Sequence, residues 1–252
     1  MNYDDYIQKK LSIMKSSNPI LKENAFEESR IIDKPMTIEG TLNKTFLLTL
    51  ILVVSGVLSL PYQKTPFLLI ASSIIGLVLG LITTFKKDWS PITAPLYAIA
   101  EGVLITGISL IFEAKYPGIP LQASLCTISV LFMMLFTYRT GLIKVNDKFR
   151  SGLFVATAAI GLVYLVSFAL SFFGIRMPFI HESGLIGIGF SLVVIGVAAL
   201  NLLLDFDFIE NASASGRVPK YMEWYGAFGL IVTLIWLYIE FLRLLSKLRD
   251  RR

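Results

Sequence analysis

Thiol and imidazole groups are almost absent from this chain of 252 residues, which has one cysteine, Cys126, and one histidine, His181. A lone cysteine excludes an internal disulfide and a cysteine-based zinc cage. A lone histidine excludes the HExxH zinc site, which takes two. Charge is scarce as well. Asp, Glu, Lys and Arg make up 16% of the residues, where an ordinary soluble domain carries about a quarter. Apolar residues fill the gap at 55%, with a mean hydropathy of +0.70. The net charge of +5 does not mark a nucleic-acid binder, because the basic residues lie mostly beside apolar runs, where membrane topology accounts for them.

Those runs set the architecture. A helix that crosses a bilayer needs about 20 apolar residues, and five charge-free stretches qualify: 45–63, 65–85, 116–138, 151–175 and 183–204. A sixth, 92–112, is interrupted by Glu101, and a seventh, 224–245, by Glu240 and Arg243. Turn residues separate them, among them Pro61 and Pro66, Trp89-Ser90-Pro91, Pro117-Gly118, Gly174 with Pro178, and Gly216 with Pro219. The expectation is an all-α integral membrane protein with seven transmembrane helices in one domain, residues 44–246. A polar N-terminal tail, 1–43, precedes it, and a basic C-terminal tail, 247–252, follows. Gly76-x-x-x-Gly80 permits close backbone approach. Gly184, Gly187, Gly189 and Gly196 make the sixth helix narrow, for packing or for movement.

The first 36 residues lack the apolar core of a cleavable signal. Seven basic and seven acidic residues lie between Met1 and Lys44, which reads as a cytoplasmic tail, lying on the membrane surface or binding a partner. With the N-terminus inside, the inner loops hold Lys86, Lys87, Arg139, Lys144, Lys148, Arg150, Arg217 and Lys220, and the outer ones Lys64, Lys115 and Arg176. Eight against three favours that orientation. The basic C-terminal tail opposes it, so the last segment either crosses fully or re-enters.

Acids inside the apolar runs are the candidate site. An ionised carboxylate at membrane depth needs a partner, a proton or water, and is a functional candidate by default. Asp205 and Asp207, in LLLDFDFIE, point about 200° apart on a helix, so only one faces the bundle interior. Asp205 lies deeper and is the chosen buried acid; Asp207 reaches the inner interface, near Arg217 and Lys220. Glu240 has two readings: an ion pair with Arg243 three residues on, or a buried carboxylate facing Asp205. Two acids in one dry site do not readily both ionise, so such a pair titrates as a unit. A shared proton holds two helices together, and its loss opens a path whose oxygens suit a hard cation such as calcium, with Asp205 and Glu240 as ligands. Glu101 is a third intramembrane acid, either held in a structural hydrogen bond or an ion pair with Lys86 or Lys87, or lining a pore. Glu223, beside Trp224 and Tyr225, reads as interfacial, and His181 as a solvated loop residue.

Enzyme signatures are missing. There is no GxGD of the aspartyl intramembrane proteases, and Gly189-Phe190-Ser191-Leu192 lacks the last glycine of a rhomboid-type GxSG. No glycine-rich phosphate loop and no metal-ligand cluster occurs, so no enzyme and no resident cofactor is expected. Nor is there an inverted repeat of the transporter kind.

The ordered set SSNPILKENAF from residue 16, MTIEGTLNKT at 36–45, DWSPITAPLYAIAEG at 88–102, NLLLDFDFIENA at 201–212 and KYMEWYGAFGLIVTLIWLYIEFLRLLSKL at 220–248 resembles the Bax inhibitor-1 family, most of all its bacterial branch with a polar N-terminal extension. The resemblance implies six helices around a central seventh, and a pH-sensitive calcium leak controlled by two aspartates. LLLDFDFIE carries the first onto Asp205. Leu237-Tyr238-Ile239-Glu240-Phe241 aligns with a motif of the form LYLDF, which puts Glu240 where the second aspartate stands. If the last helix starts near Pro219, however, Glu240 lies about 30 Å along it, and Glu223 becomes the alternative partner for Asp205. The resemblance also implies a bacterial cytoplasmic membrane, calcium as transported ion and H+ as regulator. Its alternative is a regulator that binds a membrane-bound ATP-dependent protease through the N-terminal tail.

Overall fold

A computed structural model describes residues 34–174 and 184–251. Most of the N-terminal tail, Arg176, Pro178, His181 and Arg252 therefore lie outside the described residues. Seven helices among those residues are long and apolar enough to cross a membrane. They are α1 (Ile38–Ser59), α2 (Pro66–Phe85), α3 (Ser90–Lys115), α4 (Ile119–Thr140), α5 (Asp147–Ser171), α6 (Leu185–Ser215) and α7 (Met222–Asp250). The described residues contain no β-strand, only an isolated bridge between Pro35 and Pro219. The chain is thus an all-helical, multi-pass membrane protein.

Local chemistry sets the helix ends. The Thr37 hydroxyl accepts from the Gly40 amide and caps α1, and Asn146 does the same for α5 through the Phe149 amide. Pro66, Pro91 and Pro120 occupy first-turn positions, where no amide proton is needed. The α6 helix stops at Gly216, whose φ of 62° suits a residue without a Cβ.

The Thr37 cap starts α1 earlier than a tail ending at residue 43 would allow. Residues 38–43 form its first turns, and the Lys44 charge is neutralised inside the bundle. The last segment does not re-enter. From Met222 to Asp250, α7 is one continuous helix, about 43 Å long at 1.5 Å per residue. Its first turn meets the start of α1, and its last turns meet the start of α6, so it runs the full depth of the bundle.

The most buried of the seven helices is α7, which packs on α6, α1, α4 and α3. The outer helices are α2, packed on α3, and α5, packed on α6. Leu202, Leu203, Leu237 and Leu242 are fully buried at the α6–α7 seam, while Phe46, Phe67, Phe132, Phe154 and many other large apolar side chains face outward, as lipid contact requires. Close approach uses different glycines from those of the sixth helix. A Cβ on Gly102 would overlap the Leu52 carbonyl, and one on Gly56 would lie 3.0 Å from the Gly102 carbonyl, so these two bring α1 and α3 together. At Gly184, Gly189 and Gly196 an added Cβ would meet nothing within 4 Å; they do not make α6 a packing face.

Candidate functional site

The α6–α7 seam keeps one antiparallel register across its length. Near the end of α7, the Lys247 ammonium donates to the Ser191 hydroxyl and the Gly187 carbonyl, each at 2.9 Å. Fourteen residues earlier, the Thr233 hydroxyl donates to Asp205 Oδ2 at 2.7 Å. Ser191 to Asp205 is also fourteen residues, about four turns, so the two contacts fix what lies between them. Ala198 comes level with Glu240, Asn201 with Leu237, and Leu202 with Trp236.

Asp205 occupies the middle of this seam. It is half-buried, about 15 Å from the last residue of α6. Besides Thr233 its near neighbour on α7 is Gly229, where a Cβ would lie 3.8 Å from Oδ1. No basic side chain pairs with Asp205 among the described residues.

Glu240 is elsewhere. It lies seven residues beyond Thr233 on α7, about 10 Å of helix rise, and is 1% exposed. Its Oε1 accepts from the Tyr164 hydroxyl of α5 at 2.8 Å and from Arg243 at 2.9 Å. Its Oε2 is buried without a hydrogen bond. The expected Asp205–Glu240 pair is therefore not formed, and the two do not share a cation site. Both face α6, and Leu237 and Leu202, each fully buried, lie between their levels. The ion pair with Arg243, the other reading of Glu240, is the one the structure contains.

Glu223 does not partner Asp205 either; it lies in the first turn of α7, at the end of the bundle where α1 also begins. It is fully buried. Its Oε1 accepts from the Thr37 amide at 3.0 Å and the Thr37 hydroxyl at 2.8 Å, and its Oε2 accepts from Lys44 at 2.5 Å. Lys220 approaches at 3.4 Å. These bonds clamp the start of α1 to the start of α7. Gly40 makes the clamp possible, since a Cβ there would overlap the Glu223 carboxylate. Sequence reading missed the clamp because 186 residues separate Thr37 from Glu223; the signal was a lysine, Lys44, at the edge of an apolar run.

The remaining acids also have other partners than expected. Asp207 pairs with Arg150 of α5 at 2.5 Å, not with Arg217 or Lys220. Glu101 is buried between α3 and α2, near Gly76 and with Tyr97 one turn before it. It pairs with neither Lys86 nor Lys87; Lys87 instead sits 5.3 Å over the Tyr225 ring. Lys247, which carried no expectation beyond a tail charge, is buried and hydrogen-bonded to α6. Beyond Glu240, a pocket of about 280 Å³ opens at that end of the bundle, lined in part by Lys115, Tyr164, Ser191, Arg243, Lys247 and Asp250.

One helix seam thus carries three polar levels: Lys247 with Ser191, Glu240 with Tyr164 and Arg243, and Asp205 with Thr233. The described residues contain no group of three or more His, Cys, Asp or Glu suited to hold a metal ion. Over residues 18–250 the sequence matches the family model described as Bax inhibitor 1 like. No curated protein matches the chain.

Proposed function

We infer function from this premise: the chain belongs to the Bax inhibitor 1 like family and is a multi-pass membrane protein. We propose that it is a pH-sensitive cation leak, with calcium as an ion it passes and protonation of Asp205 as its gate. The observation that carries the reading is Asp205 itself, a carboxylate about 15 Å inside the end of α6 whose hydrogen-bond partner is a threonine hydroxyl and with which no basic side chain pairs among the described residues. Other titratable groups on the helices around α6 are engaged elsewhere. Arg150 of α5 holds Asp207, Tyr138 of α4 is partnered by Glu210, and Glu223 of α7 holds Lys44 of α1.

Because Glu240 is too far away to repel it, Asp205 opens the seam through its own solvation. Protonated, it is neutral and fits a closed apolar bundle. Ionised, it needs water, and water drawn between α6 and α7 starts a path. Flux should therefore rise with pH. The proposal has the N-terminus inside a bacterial cytoplasmic membrane, supported by the excess of basic residues in the short inner loops.

The test is calcium flux into liposomes from about pH 6 to 8. The wild-type protein should show flux that rises with pH, and Asp205→Asn should hold it at the low-pH level. A pH profile unchanged by Asp205→Asn sinks the assignment.

A second reading, a regulator that binds another membrane protein such as a membrane protease, is supported by the polar N-terminal segment that precedes α1. The Met36 amide donates to the Val218 carbonyl at 2.8 Å, beside the Pro35–Pro219 bridge, which ties the entry to α1 to the α6–α7 connection. The deletion that separates the readings must stop at residue 33, since Met36 is buried and Thr37 binds Glu223. A leak survives that deletion; a tail-dependent interaction does not.

A further inference from the structure

Two polar levels on the α6–α7 seam are separated by one apolar layer. On the Asp205 side stands Thr233, and on the other stands Glu240 with Tyr164 and Arg243. The register of the seam puts Leu237 and Leu202 between them, and both are 0% exposed. Ala198, level with Glu240, is also fully buried, and its small side chain leaves room for the carboxyl group.

From the open end inward, the order along the seam is a pocket of about 280 Å³ lined by Arg243, Lys247 and Ser191, then Glu240, then the leucine layer, then Asp205. Among the described residues, Glu240 Oε2 has no hydrogen-bond partner. A buried acceptor of that kind is served by water when water can reach it, and the pocket walls include both groups that hold its other oxygen.

We propose that Leu237 and Leu202 form the barrier of this protein: a single apolar layer that separates an outer half-path, running from the pocket to Glu240, from the carboxylate of Asp205. This deepens the leak reading and rests on it for the consequence, though the barrier itself can be read without flux. An apolar constriction stops ions by excluding the water that would solvate them. Seven residues, about 10 Å of helix rise, separate the Thr233 and Glu240 levels, and within that interval Leu237 and Leu202 are fully buried while Asn201, level with Leu237, donates to Thr157 of α5. A layer this thin makes the seam sensitive to a single side chain. When Asp205 ionises and draws water into its own level, the layer at Leu237 and Leu202 must part for the two wetted levels to join.

Two measurements on the full chain test this. The first is calcium flux in liposomes with Leu237→Ala, and with Leu237→Val as the milder change. Leu237→Ala should raise flux at pH 6 about tenfold and flatten the pH dependence, with Leu237→Val intermediate. The second uses thiol labelling in nanodiscs by a water-soluble, charged methanethiosulfonate, in a Cys126→Ser background that leaves one introduced cysteine. Gly229→Cys places a thiol beside Asp205, where the structure has room for a Cβ. Its labelling at pH 6 should be at least about tenfold faster with Leu237→Ala than with Leu237 intact. Equal labelling rates in correctly folded protein, judged by an unchanged circular dichroism spectrum and a monodisperse elution profile, would overturn the barrier. Absence of wild-type flux at every pH, with labelling that still depends on Leu237, would overturn the leak reading and keep the barrier.

Discussion

Lys44→Met tests the clamp between α1 and α7. The substitution keeps the length of the side chain and removes its charge from beside Glu223, which is fully buried. Removing one partner of a buried ion pair costs about 3–5 kcal/mol, because the other charge is left without compensation. Here the two Thr37 donors remain, and Lys220 at 3.4 Å remains with a largely exposed side chain. The loss therefore belongs at the low end, about 3 kcal/mol. For a protein of this size that is a fall in melting temperature of about 6–12 °C. Trp224 makes the assay local, since the Lys44 ammonium sits 5.5 Å from its ring centroid and its fluorescence follows the clamp as the protein is heated in detergent micelles. Adding Glu223→Gln removes the stranded charge and should recover about half of the loss. The reasoning is refuted if Lys44→Met melts within about 2 °C of the wild type, or if the double variant melts no higher than Lys44→Met alone.

Other substitutions separate buried charges from exposed ones. Arg243→Met strands Glu240, whose Oε2 is already unpartnered; it should lower the melting temperature by about 10 °C, from the same cost of about 3–5 kcal/mol. Arg150→Met breaks a pair whose arginine side chain is 47% exposed, so less than about 1 kcal/mol is at stake and the melting curve should move by no more than about 3 °C. Gly40→Ala pushes a Cβ into the Glu223 carboxylate and should reproduce the Lys44→Met melt. Gly196→Ala has open space around it and should leave the melt unchanged or raise it slightly, because alanine is favoured over glycine in a helix by about 1 kcal/mol. Lys115→Glu removes a positive charge from the pocket mouth and should raise calcium flux relative to potassium flux in liposomes, an effect that added salt diminishes.

Why some of this was legible in the sequence, and some was not, follows from the range of the forces involved. Span number and type are local properties: twenty apolar residues in a row mark a membrane helix wherever they pack, and all seven runs became helices. Depth is local too, which is why Asp205, Glu240 and Glu101 were recognised as acids in the wrong solvent. Partners are not local. Glu240 offered one neighbour three residues away and one acid 35 residues away; the near one, Arg243, is in the structure, while Asp205 sits about two turns of α7 from Glu240. The same limit hid the partner of Glu223, since Lys44, which holds it, lies six helices earlier. Gly76 and Gly80 do face α3 closely, but the glycines of α6 misled for a related reason: that stripe is conspicuous in sequence, yet the close approach of α1 to α3 depends on Gly56 and Gly102, one in each of two helices. A register needs two contacts to define it, and here Asp205 with Thr233 and Ser191 with Lys247 supply both. That register turns a scatter of intramembrane charges into an ordered seam. It leaves Asp205 without the acidic partner its motif implied, so any control by protons has to act through the solvation of one carboxylate and the width of one leucine layer.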